Sequence, residues 1–345
     1  MLSEETKTLI NSKLSLLQKD EVKSDHLLFL RDYFYKLDEN TTVAVHPASW
    51  ISKIGKLDDV ITLLLKGVTV GLFSIDWKMY HLDCAVVTKK VSSFKEVLEH
   101  HYCPACKADF EITTDESLMI TFSPSENITG ISVKTEEVEH VDHNGLKASQ
   151  LMHNSYFRKY FSSEVVAEDA GIRIQNITIL FTDIKESTNL YEKVGDLNAF
   201  RLVKKHFAAV ESIVTKYNGV VVKTIGDAVM ASFTVTSDGL LAAIEIQNHF
   251  ISAAEDLKVA IKMGLHSGPA LVVNLNNKLD YFGTTINIAA RVQNLSKGGD
   301  VFISKTIFDD ARCVGKLKSM PAVFKYKAKL KGIKDEYFVY QIREK

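Results

Sequence analysis

The stretch that decides the fold is ITILFTDIKESTNLYEKVGD, which runs from residue 177 to residue 196. Its apolar first half predicts a buried β-strand, and Ser187 and Thr188 mark the start of a helix. Asp183 therefore ends a strand just before a helix N-terminus. A carboxylate in that position can hold a metal ion, while the free N–H groups from Lys185 to Thr188 can bind phosphate. The alternative is that Asp183 only caps the helix.

Composition and charge place the chain among ordinary globular proteins. It has 345 residues, 46% hydrophobic and 25% charged, with a net charge of −1, and is long enough for two domains. The charge balance gives no argument for nucleic-acid binding, and no apolar run reaches the ~20 residues that span a bilayer. The polar first residues do not resemble a signal peptide, and four cysteines do not make a disulfide scaffold. We expect a cytoplasmic protein outside membranes.

The pattern of elements predicts two domains and a connecting helix. Residues 1–145 read as a smaller mixed α/β domain, in which residues 57–67 form an amphipathic helix and residues 128–138 alternate like a strand. Residues 146–170 predict a helical linker. Residues 171–345 read as strand, helix, hairpin, helix, strand, helix and strand. This order predicts an α+β fold with mostly antiparallel pairing and two helices over one sheet face.

A second carboxylate accompanies Asp183. Asp227 follows Gly226 at the tip of the hairpin predicted for VVVKTIGDAVMASF, since Gly-Asp pairs favour such turns. A strand end and a neighbouring hairpin tip can meet, so the two carboxylates can share Mg²⁺ with phosphate oxygens. The alternative is that Asp227 only forms the turn.

Four more polar residues are grouped around these carboxylates in sequence. Lys223 lies on the strand that enters the hairpin, and Asp280 precedes a helix. Asn287 and Arg291 are four residues apart on that helix and share one face. Arginine offers a planar cationic fork for phosphate. A solvent-facing pair is the alternative, but the apolar residues around Asn287 and Arg291 argue against it.

Five motifs carry a resemblance to a known family. FTDIKEST, KTIGDAVMASF, GLHSGPA, DYFGTTINIAAR and LKGIKDEYFVYQI occur in the order and spacing of the class III adenylate/guanylate cyclases, across about residues 172–342. The chain resembles the bacterial adenylate cyclases of this family. The resemblance implies a ferredoxin-like α+β catalytic domain that acts as a head-to-tail homodimer, with each active site between two chains.

The resemblance also implies which residues hold the metals and the purine. Asp183, the carbonyl of Ile184 and Asp227 correspond to ligands of two Mg²⁺ or Mn²⁺ ions. Lys223 and Asp280 correspond to the residues that recognise adenine from the partner chain. A lysine donates to a ring nitrogen and an aspartate accepts from the exocyclic amine, whereas guanine presents the reverse pattern. This pair therefore favours ATP over GTP.

The resemblance also implies which residues contact the ribose and the phosphates. Asn287 corresponds to the residue that orients the ribose, and Arg291 to the one that stabilises charge on the reacting phosphate. Lys262 and Lys331 correspond to basic contacts to the triphosphate, and Thr188 lies in the phosphate-binding turn. The predicted activity is conversion of ATP into 3′,5′-cyclic AMP and pyrophosphate.

Glu186 departs from the family pattern, which has a small residue there, often glycine. A carboxylate near the metals and phosphates would repel the substrate unless it points away. A weak or inactive nucleotide-binding signalling domain therefore stays open as an alternative. A guanylate cyclase is a further alternative.

The N-terminal part contains a second set of metal-binding residues. His81-x-x-Cys84 and Cys103-x-x-Cys106 have the spacing of a zinc ribbon. His100 or His101 could replace His81. Buried free cysteines or a redox pair are alternatives, although no βαβ pattern favours a redox pair. Cys313 is expected to be an ordinary buried cysteine.

The segment before these pairs suggests a regulatory role. Residues 40–78 are similar to a winged-helix outline, and residues 79–110 contain the predicted zinc ribbon. Few Lys and Arg residues are available for phosphate contacts, which argues against a zinc-dependent DNA-binding regulator. We expect the N-terminal domain to regulate the enzyme through a ligand or protein that the sequence does not identify.

Overall fold

A computed structural model describes residues 2–37, 44–92, 94–98, 100–112, 114–129, 145–161, 171–252, 259–276, 278–320, 322–333 and 336–343. The chain divides into two compact units. The N-terminal unit comprises residues 1–172 and 274–278, and the C-terminal unit comprises residues 173–273 and 279–345. The described part of the segment predicted as a linker therefore belongs to the N-terminal unit.

The elements of the N-terminal unit are mostly short. Its α-helices are α1 (Glu4–Lys19), α2 (Ser24–Tyr35), α3 (Ile51–Ile54), α4 (Leu57–Thr69), α5 (Glu126–Thr129), α6 (Ala148–His153) and α7 (Ser155–Tyr160). Its strands are β1 (Phe73–His81), β2 (Val86–Val91), β3 (His101–Tyr102), β4 (Asp109–Phe110), β5 (Leu118–Pro124) and β6 (Leu146–Lys147). Single turns of 3₁₀-helix span Pro47–Trp50, Phe94–Leu98 and Asp115–Ser117.

The core of the N-terminal unit lies on an antiparallel four-stranded sheet with the order β2-β1-β5-β6. The amphipathic helix predicted for residues 57–67 is confirmed as α4, which buries Val60, Ile61, Leu64 and Leu65. A group of aromatic rings packs beside it, with the Trp50 ring 4.9–6.0 Å from its aromatic neighbours. The helices α1 and α2 had no counterpart in the sequence prediction.

Two other predicted segments of this unit either lie mostly outside the described residues or differ from the structure. The strand predicted for residues 128–138 lies mostly outside the described residues. The described part of residues 146–170 forms the two helices α6 and α7, which are separated at Asn154. Asn154 caps α7 by accepting from the Phe157 N–H (3.0 Å) and donates to the Asp58 carboxylate (2.7 Å). This buried amide therefore fixes the break between the helices.

The C-terminal unit is built from longer elements. Its strands are β7 (Gly171–Ile184), β8 (Val220–Ile225), β9 (Ala228–Phe233), β10 (Ile261–Leu275), β11 (Lys278–Phe282), β12 (Asp300–Ser304), β13 (Ala322–Lys329) and β14 (Glu336–Arg343). Its helices are α8 (Ser187–Val194), α9 (Asp196–Lys216), α10 (Thr236–Ser252), α11 (Thr284–Gln293), α12 (Lys305–Phe308) and α13 (Ala311–Lys318).

An eight-stranded sheet organises this unit in the order β13-β14-β12-β10-β7-β9-β8, with β11 paired to β10. Pairing is antiparallel for β7 with β9, β8 with β9, β12 with β14 and β13 with β14, and parallel for β10 with β12. The predicted α+β fold with mostly antiparallel pairing is confirmed.

The two faces of this sheet carry different helices. Val301 and Ile303 on β12 join one core cluster with α9 and α10, whereas Phe302 joins a second cluster with α11. Because side chains alternate along a strand, the clusters lie on opposite faces. The long helices α9 and α10 share one face, as predicted, and α11 lies on the other. In the described part of the chain, no helix combines the length and the apolar character needed to cross a membrane.

Candidate functional site

The structure brings Asp183 and Asp227 to the same end of two neighbouring strands. Asp183 is the penultimate residue of β7, and Asp227 lies in the two-residue turn between β8 and β9. The register of β7 and β9 pairs Thr182 with Val229, which places the two aspartates beside each other at the edge of the ladder. Gly226 precedes Asp227 with φ 63°, a conformation that a glycine adopts without steric cost.

Among the described residues, one of these carboxylates pairs with a lysine, and the other has an oxygen without a partner. Lys262 on β10 contacts Asp183, with 2.6 Å between Nζ and Oδ2. In contrast, Oδ2 of Asp227 is buried and has no hydrogen-bond partner among the described residues. Burial, together with the charges of Asp227 and Asp183, raises the pKa of Tyr191. A buried oxygen without a partner beside a second carboxylate is a suitable ligand set for a divalent cation.

His206 on α9 lies behind this edge and was missed by the sequence analysis. It is fully buried, and its Nε2 is 3.3 Å from Oγ1 of Thr182. Burial lowers the pKa of His206 to about 4, although the charge of Asp183 acts in the opposite direction. The imidazole is therefore neutral near pH 7 and supports the strand that carries Asp183 without adding a positive charge.

The helix start after Asp183 also agrees with the predicted site. Helix α8 begins at Ser187, and its N-cap residue is Glu186, which makes no side-chain capping bond. Asp183 is therefore not the helix cap. Thr188 lies exposed in the first turn of α8. No side chain caps the N-terminus of α8. Its backbone N–H groups, which the predicted phosphate site requires, therefore stay available near the carboxylates.

Glu186 occupies a backbone conformation that explains the usual small residue at this position. Its φ of 53° and ψ of 39° are left-handed, which costs about 1–2 kcal/mol for a residue with a Cβ. Its side chain is 66% exposed, and its carboxylate lies 3.8 Å from Nζ of Lys185. The carboxylate thus extends into solvent beside a lysine.

Lys223 and Asp280, the residues predicted to read the purine, contact each other in one chain. Nζ of Lys223 forms a short ion pair with Oδ2 of Asp280. The other oxygen of Asp280 accepts from the Tyr281 N–H at 2.8 Å. The Asp280 side chain is 11% exposed and that of Lys223 is 40% exposed. A fixed acceptor and a more accessible donor are therefore placed side by side.

Asn287 and Arg291 lie one turn apart on α11, as predicted. Asn287 is exposed, and Arg291 is half-buried. Gly332 lies against the guanidinium, because a Cβ on Gly332 would be 3.4 Å from Nη2 of Arg291. Lys331, which is exposed, precedes this glycine, and Leu330 packs against the apolar side of α11. The structure therefore brings Lys331 near Arg291. The contact between Gly332 and Arg291 was not predicted from the sequence.

The N-terminal unit assembles the second predicted ligand set. The ligand atoms of His81, Cys84, Cys103 and Cys106 all lie within 4.8 Å of one another. Nδ1 of His81 is 3.3 Å from the Cys84 sulfur and 3.5 Å from the Cys106 sulfur. Tetrahedral zinc with ordinary bond lengths separates nitrogen and sulfur ligands by about 3.6 Å. The two distances from His81 are therefore close to the nitrogen–sulfur spacing of a zinc site.

Two tight turns present these ligands. Each pair is followed by a residue in the left-handed region, Ala85 with φ 51° and Lys107 with φ 60°. The Cys84 N–H donates to the His81 carbonyl at 3.3 Å, and the Lys107 N–H donates to the Cys103 carbonyl at 2.8 Å. The turns point the two pairs of side chains toward a common centre.

The alternative histidines are engaged elsewhere. Nε2 of His101 is 3.0 Å from the carbonyl of Val97, and Nδ1 of His100 is 3.3 Å from the carboxylate of Glu111. His81 is therefore the histidine of the cluster. Cys313 is buried in the core of the C-terminal unit, as expected.

The thiols of the cluster influence one another strongly. The hydrogen bond with Cys106, together with burial, raises the pKa of Cys84 to about 11. Backbone N–H donation from Cys106 lowers the pKa of Cys103. Thiolates packed this closely repel one another, and a central divalent cation would favour the deprotonated form of all three.

Two family profiles match the chain. Residues 171–344 match the profile described as Adenylate and Guanylate cyclase catalytic domain. Residues 44–188 match a Family of unknown function (DUF5939). The first match covers the C-terminal unit and all of the polar residues described there.

Individual relatives match the chain at low sequence identity. The chain is 28% identical over 194 residues to an adenylate cyclase of Lachancea kluyveri, covering 49% of this chain and 10% of that protein. It is 25% identical over 215 residues to an adenylate cyclase of Anabaena cylindrica, covering 54% and 42%. The solved adenylyl cyclase CyaB of P. aeruginosa has a TM-score of 0.43 and 20% identity, covering 51% of this chain and 97% of that chain. The chain thus spans less than half the length of these two curated relatives.

Proposed function

The chain belongs to the adenylate and guanylate cyclase catalytic domain family, and on that premise we propose that it is an adenylate cyclase, a phosphorus–oxygen lyase that converts ATP into 3′,5′-cyclic AMP and pyrophosphate. The observation that carries the proposal is the pairing of Asp183 and Asp227 at one sheet edge. There, Asp227 keeps a buried oxygen without a partner among the described residues.

Asp183, Asp227 and the backbone carbonyl of Ile184 would hold two Mg²⁺ or Mn²⁺ ions. The residues fit these ions, because hard divalent cations prefer carboxylate and carbonyl oxygens and Asp227 offers an unsatisfied one. When bound, such ions lower the pKa of the ribose 3′-hydroxyl and neutralise phosphate charge. Lys262, whose Nζ lies 2.6 Å from Oδ2 of Asp183, offsets part of the charge of that carboxylate.

The reaction forms a bond between the ribose 3′-oxygen and the α-phosphorus and breaks the bond from that phosphorus to pyrophosphate. Asn287 would orient the ribose so that its 3′-oxygen is in line with the leaving group. Arg291 would stabilise the negative charge on the α-phosphate. Lys331, beside Arg291, and the turn at Thr188 would bind the outer phosphates. Positioning and electrostatics account for most of the catalysis of such transfers.

The choice of ATP rests on Lys223 and Asp280. The lysine would donate to a ring nitrogen of adenine, and the aspartate would accept from its exocyclic amine. Guanine has the opposite donor and acceptor at that edge. The Tyr281 N–H donates to one oxygen of the Asp280 carboxylate and holds this acceptor in place, which supports the proposal.

The complete enzyme is proposed to be a head-to-tail homodimer. One chain would supply Asp183 and Asp227 to each site, and its partner would supply Lys223, Asp280 and Arg291. Two sites would then form in each dimer. The N-terminal unit is proposed to regulate them.

The test is product formation from ATP and from GTP, with Mg²⁺ and separately with Mn²⁺, by the full chain and by Asp227→Ala. We expect cyclic AMP from ATP and a loss of about 10³-fold or more in the variant. Glu211→Ala, which removes an exposed carboxylate on α9, is the matched control and should act like the wild type. Cyclic GMP as the main product would replace the proposal with a guanylate cyclase. If a folded dimer binds ATP but forms no product, the chain is a nucleotide-binding signalling domain instead of a cyclase.

We propose Zn²⁺ as the ligand of the Cys/His cluster. The specific observation is that the four ligand atoms lie within 4.8 Å of one another. Three sulfurs and one imidazole fill a tetrahedral zinc site, so the ion would stabilise the structure and leave no open position for catalysis. Zinc thiolates require reduced cysteines, in agreement with the predicted cytoplasmic location. Elemental analysis of the purified chain should find one zinc per chain.

A further inference from the structure

The C-terminal unit contains a cavity of about 560 Å³ that the proposed reaction does not use. It is lined by residues from the start of β7, the middle of β10, the first turn of α11, and Thr306 and Tyr337. Arg173, in its wall, is ten residues before Asp183 on the same strand. Ser267, also in its wall, contacts Thr178, which is five residues before Asp183, so at about 3.3 Å per residue the cavity begins roughly 17 Å from Asp183.

A buried histidine supplies the most specific group of this cavity. His266 is 4% exposed and lines the cavity. Its Nδ1 is 2.8 Å from Oγ of Ser304, and that oxygen is 2.8 Å from Oγ1 of Thr306. Thr306 in turn donates to the carbonyl of Ser267 at 3.0 Å.

This chain of contacts assigns the protons. The carbonyl of Ser267 accepts the one hydroxyl proton of Thr306, so Ser304 must donate to Thr306. The remaining proton of the series then lies on Nδ1 of His266, which donates to Ser304. Burial lowers the pKa of His266 to about 4, so the ring is neutral near pH 7 and Nε2 is an acceptor.

The space in front of this acceptor is kept open by Gly268. A Cβ on Gly268 would lie 3.6 Å from Nε2 of His266 and 2.8 Å from Oγ1 of Thr285. Within the described residues, Nε2 has no hydrogen-bond partner from the protein. A ligand with an O–H or N–H group would supply the missing donor.

The other walls define the rest of the ligand. Arg173 contributes a guanidinium, and α11 begins at the cavity after Gly283, which has no side chain to cap the helix. Both features favour an anionic group. Between them the lining is largely apolar and includes Leu271, Phe282 and Tyr337. The volume is that of an ordinary small-molecule site.

We propose that this cavity is a binding site for a small aromatic carboxylate that carries a hydroxyl or N–H donor. The donor bonds to Nε2 of His266, the ring packs against the apolar wall, and the carboxylate pairs with Arg173. None of the residues that line the cavity is among those proposed to bind ATP or the metal ions, and the test measures binding without cyclase activity.

The position of the cavity also connects it to α11. Thr284 and Ile288 line it from one stripe of that helix. Asn287 and Arg291 occupy a stripe offset by about 60° around the helix axis. A ligand in the cavity would therefore contact the helix that carries these two residues.

The experiment is isothermal titration calorimetry of the full-length chain with 4-hydroxyphenylacetate. Two analogues each lack one group: phenylacetate lacks the hydroxyl, and tyrosol replaces the carboxylate with an alcohol. We expect saturable binding of 4-hydroxyphenylacetate with a Kd below about 1 mM. Each analogue should bind about tenfold more weakly, because one hydrogen bond or ion pair is lost.

Variants locate the binding. Arg173→Gln should weaken 4-hydroxyphenylacetate about tenfold and leave tyrosol unchanged, since tyrosol has no charge to lose. Leu271→Trp, at a 38% exposed position of the wall, should fill the cavity and abolish binding without disturbing the core. Arg201→Gln removes an exposed guanidinium on α9 and should bind like the wild type. Absence of saturable binding, or binding that Arg173→Gln and Leu271→Trp leave unchanged, would overturn the proposal.

Discussion

The Cys/His cluster and the carboxylate site both contain metal-binding groups, but the two sites differ in the number of these groups and in their partners. The cluster has four ligand atoms within 4.8 Å, supplied by two tight turns of one unit. The carboxylate site has one aspartate paired with Lys262 and another with a buried oxygen that lacks a partner among the described residues.

The number of protein ligands sets what each site is expected to do. A cluster of four protein ligands leaves no position for a substrate, and its metal serves stability. A site with few protein ligands leaves room for phosphate oxygens to complete the coordination of the metal.

Removing a cluster ligand should have the largest effect. Cys103→Ser is expected to lose the zinc and to destabilise the N-terminal unit by up to about 10 kcal/mol, the scale of structural zinc sites. Elemental analysis and thermal unfolding followed by circular dichroism measure both quantities. Cys313→Ser, at a buried cysteine outside the cluster, is the control and should keep its zinc. An unchanged unfolding transition in Cys103→Ser would show that this cluster does not stabilise the unit.

Removing the lysine at the carboxylate site should have a smaller effect, which added metal should reverse. Lys262→Met leaves Asp183 without its partner and should lower the free energy of unfolding by about 2 kcal/mol, a value reduced for partial exposure of the pair. Mn²⁺ should restore most of this loss, because the metal replaces the missing charge. Denaturant titrations with and without Mn²⁺ give the comparison.

Lys305→Met is the matched control for Lys262→Met. Lys305 pairs with Asp309, and both side chains are about half exposed, so this ion pair contributes less than about 1 kcal/mol. It should show little loss and no rescue by Mn²⁺. Equal rescue of both variants would mean that Mn²⁺ does not act at Asp183.

Purine selection should change by a smaller factor. Lys223→Gln exchanges a charged donor for a neutral amide that can both donate and accept. We expect the ratio of kcat/KM for ATP over GTP to fall about tenfold, the value of one hydrogen bond. Lys325→Gln on β13, whose Nζ lies 4.3 Å from the Phe338 ring centroid, should leave the ratio unchanged. A ratio that does not move in Lys223→Gln would remove this lysine from purine recognition.

The smallest effect concerns the backbone at Glu186. Glu186→Gly relieves a left-handed conformation and should raise the free energy of unfolding by about 1 kcal/mol, after the greater flexibility of glycine in the unfolded chain is subtracted. The denaturant midpoint measures this change. Asn218→Gly, at another left-handed residue with φ 55°, should gain less because asparagine tolerates that conformation. A loss of stability in Glu186→Gly would show that a contact of the Glu186 side chain stabilises the fold by more than the left-handed backbone costs.

Local patterns allowed several parts of both sites to be predicted. The apolar run before Asp183 and the Gly-Asp pair at 226–227 each specify a short stretch of backbone, and the structure has them as predicted. The turns of the Cys/His cluster are equally local, since each ligand pair is separated by only two residues. The amphipathic spacing of α4 identified its buried face for the same reason.

Other parts were missed because their signals are weaker or nonlocal. Helices α1 and α2 went unpredicted, although Ser3 caps α1 and Ile10, Leu14 and Leu17 recur at helical spacing. The contact between Lys262 and Asp183 joins residues 79 positions apart (262 minus 183), and no spacing rule points to it. The left-handed backbone at Glu186 was visible in the sequence only as a departure from the family pattern.

Residue patterns were enough to predict the strand and the hairpin that carry Asp183 and Asp227, the residue types at their ends, and therefore the family and its expected chemistry. Which of those residues meet depends on the folded structure. His81 rather than His100 or His101 completes the cluster because the paired strands and turns bring its Nδ1 toward the sulfurs. The cavity at His266 likewise depends on packing between β10 and α11. Periodicity and turn chemistry are properties of neighbouring residues, whereas the position of a charge or an open space depends on the whole fold.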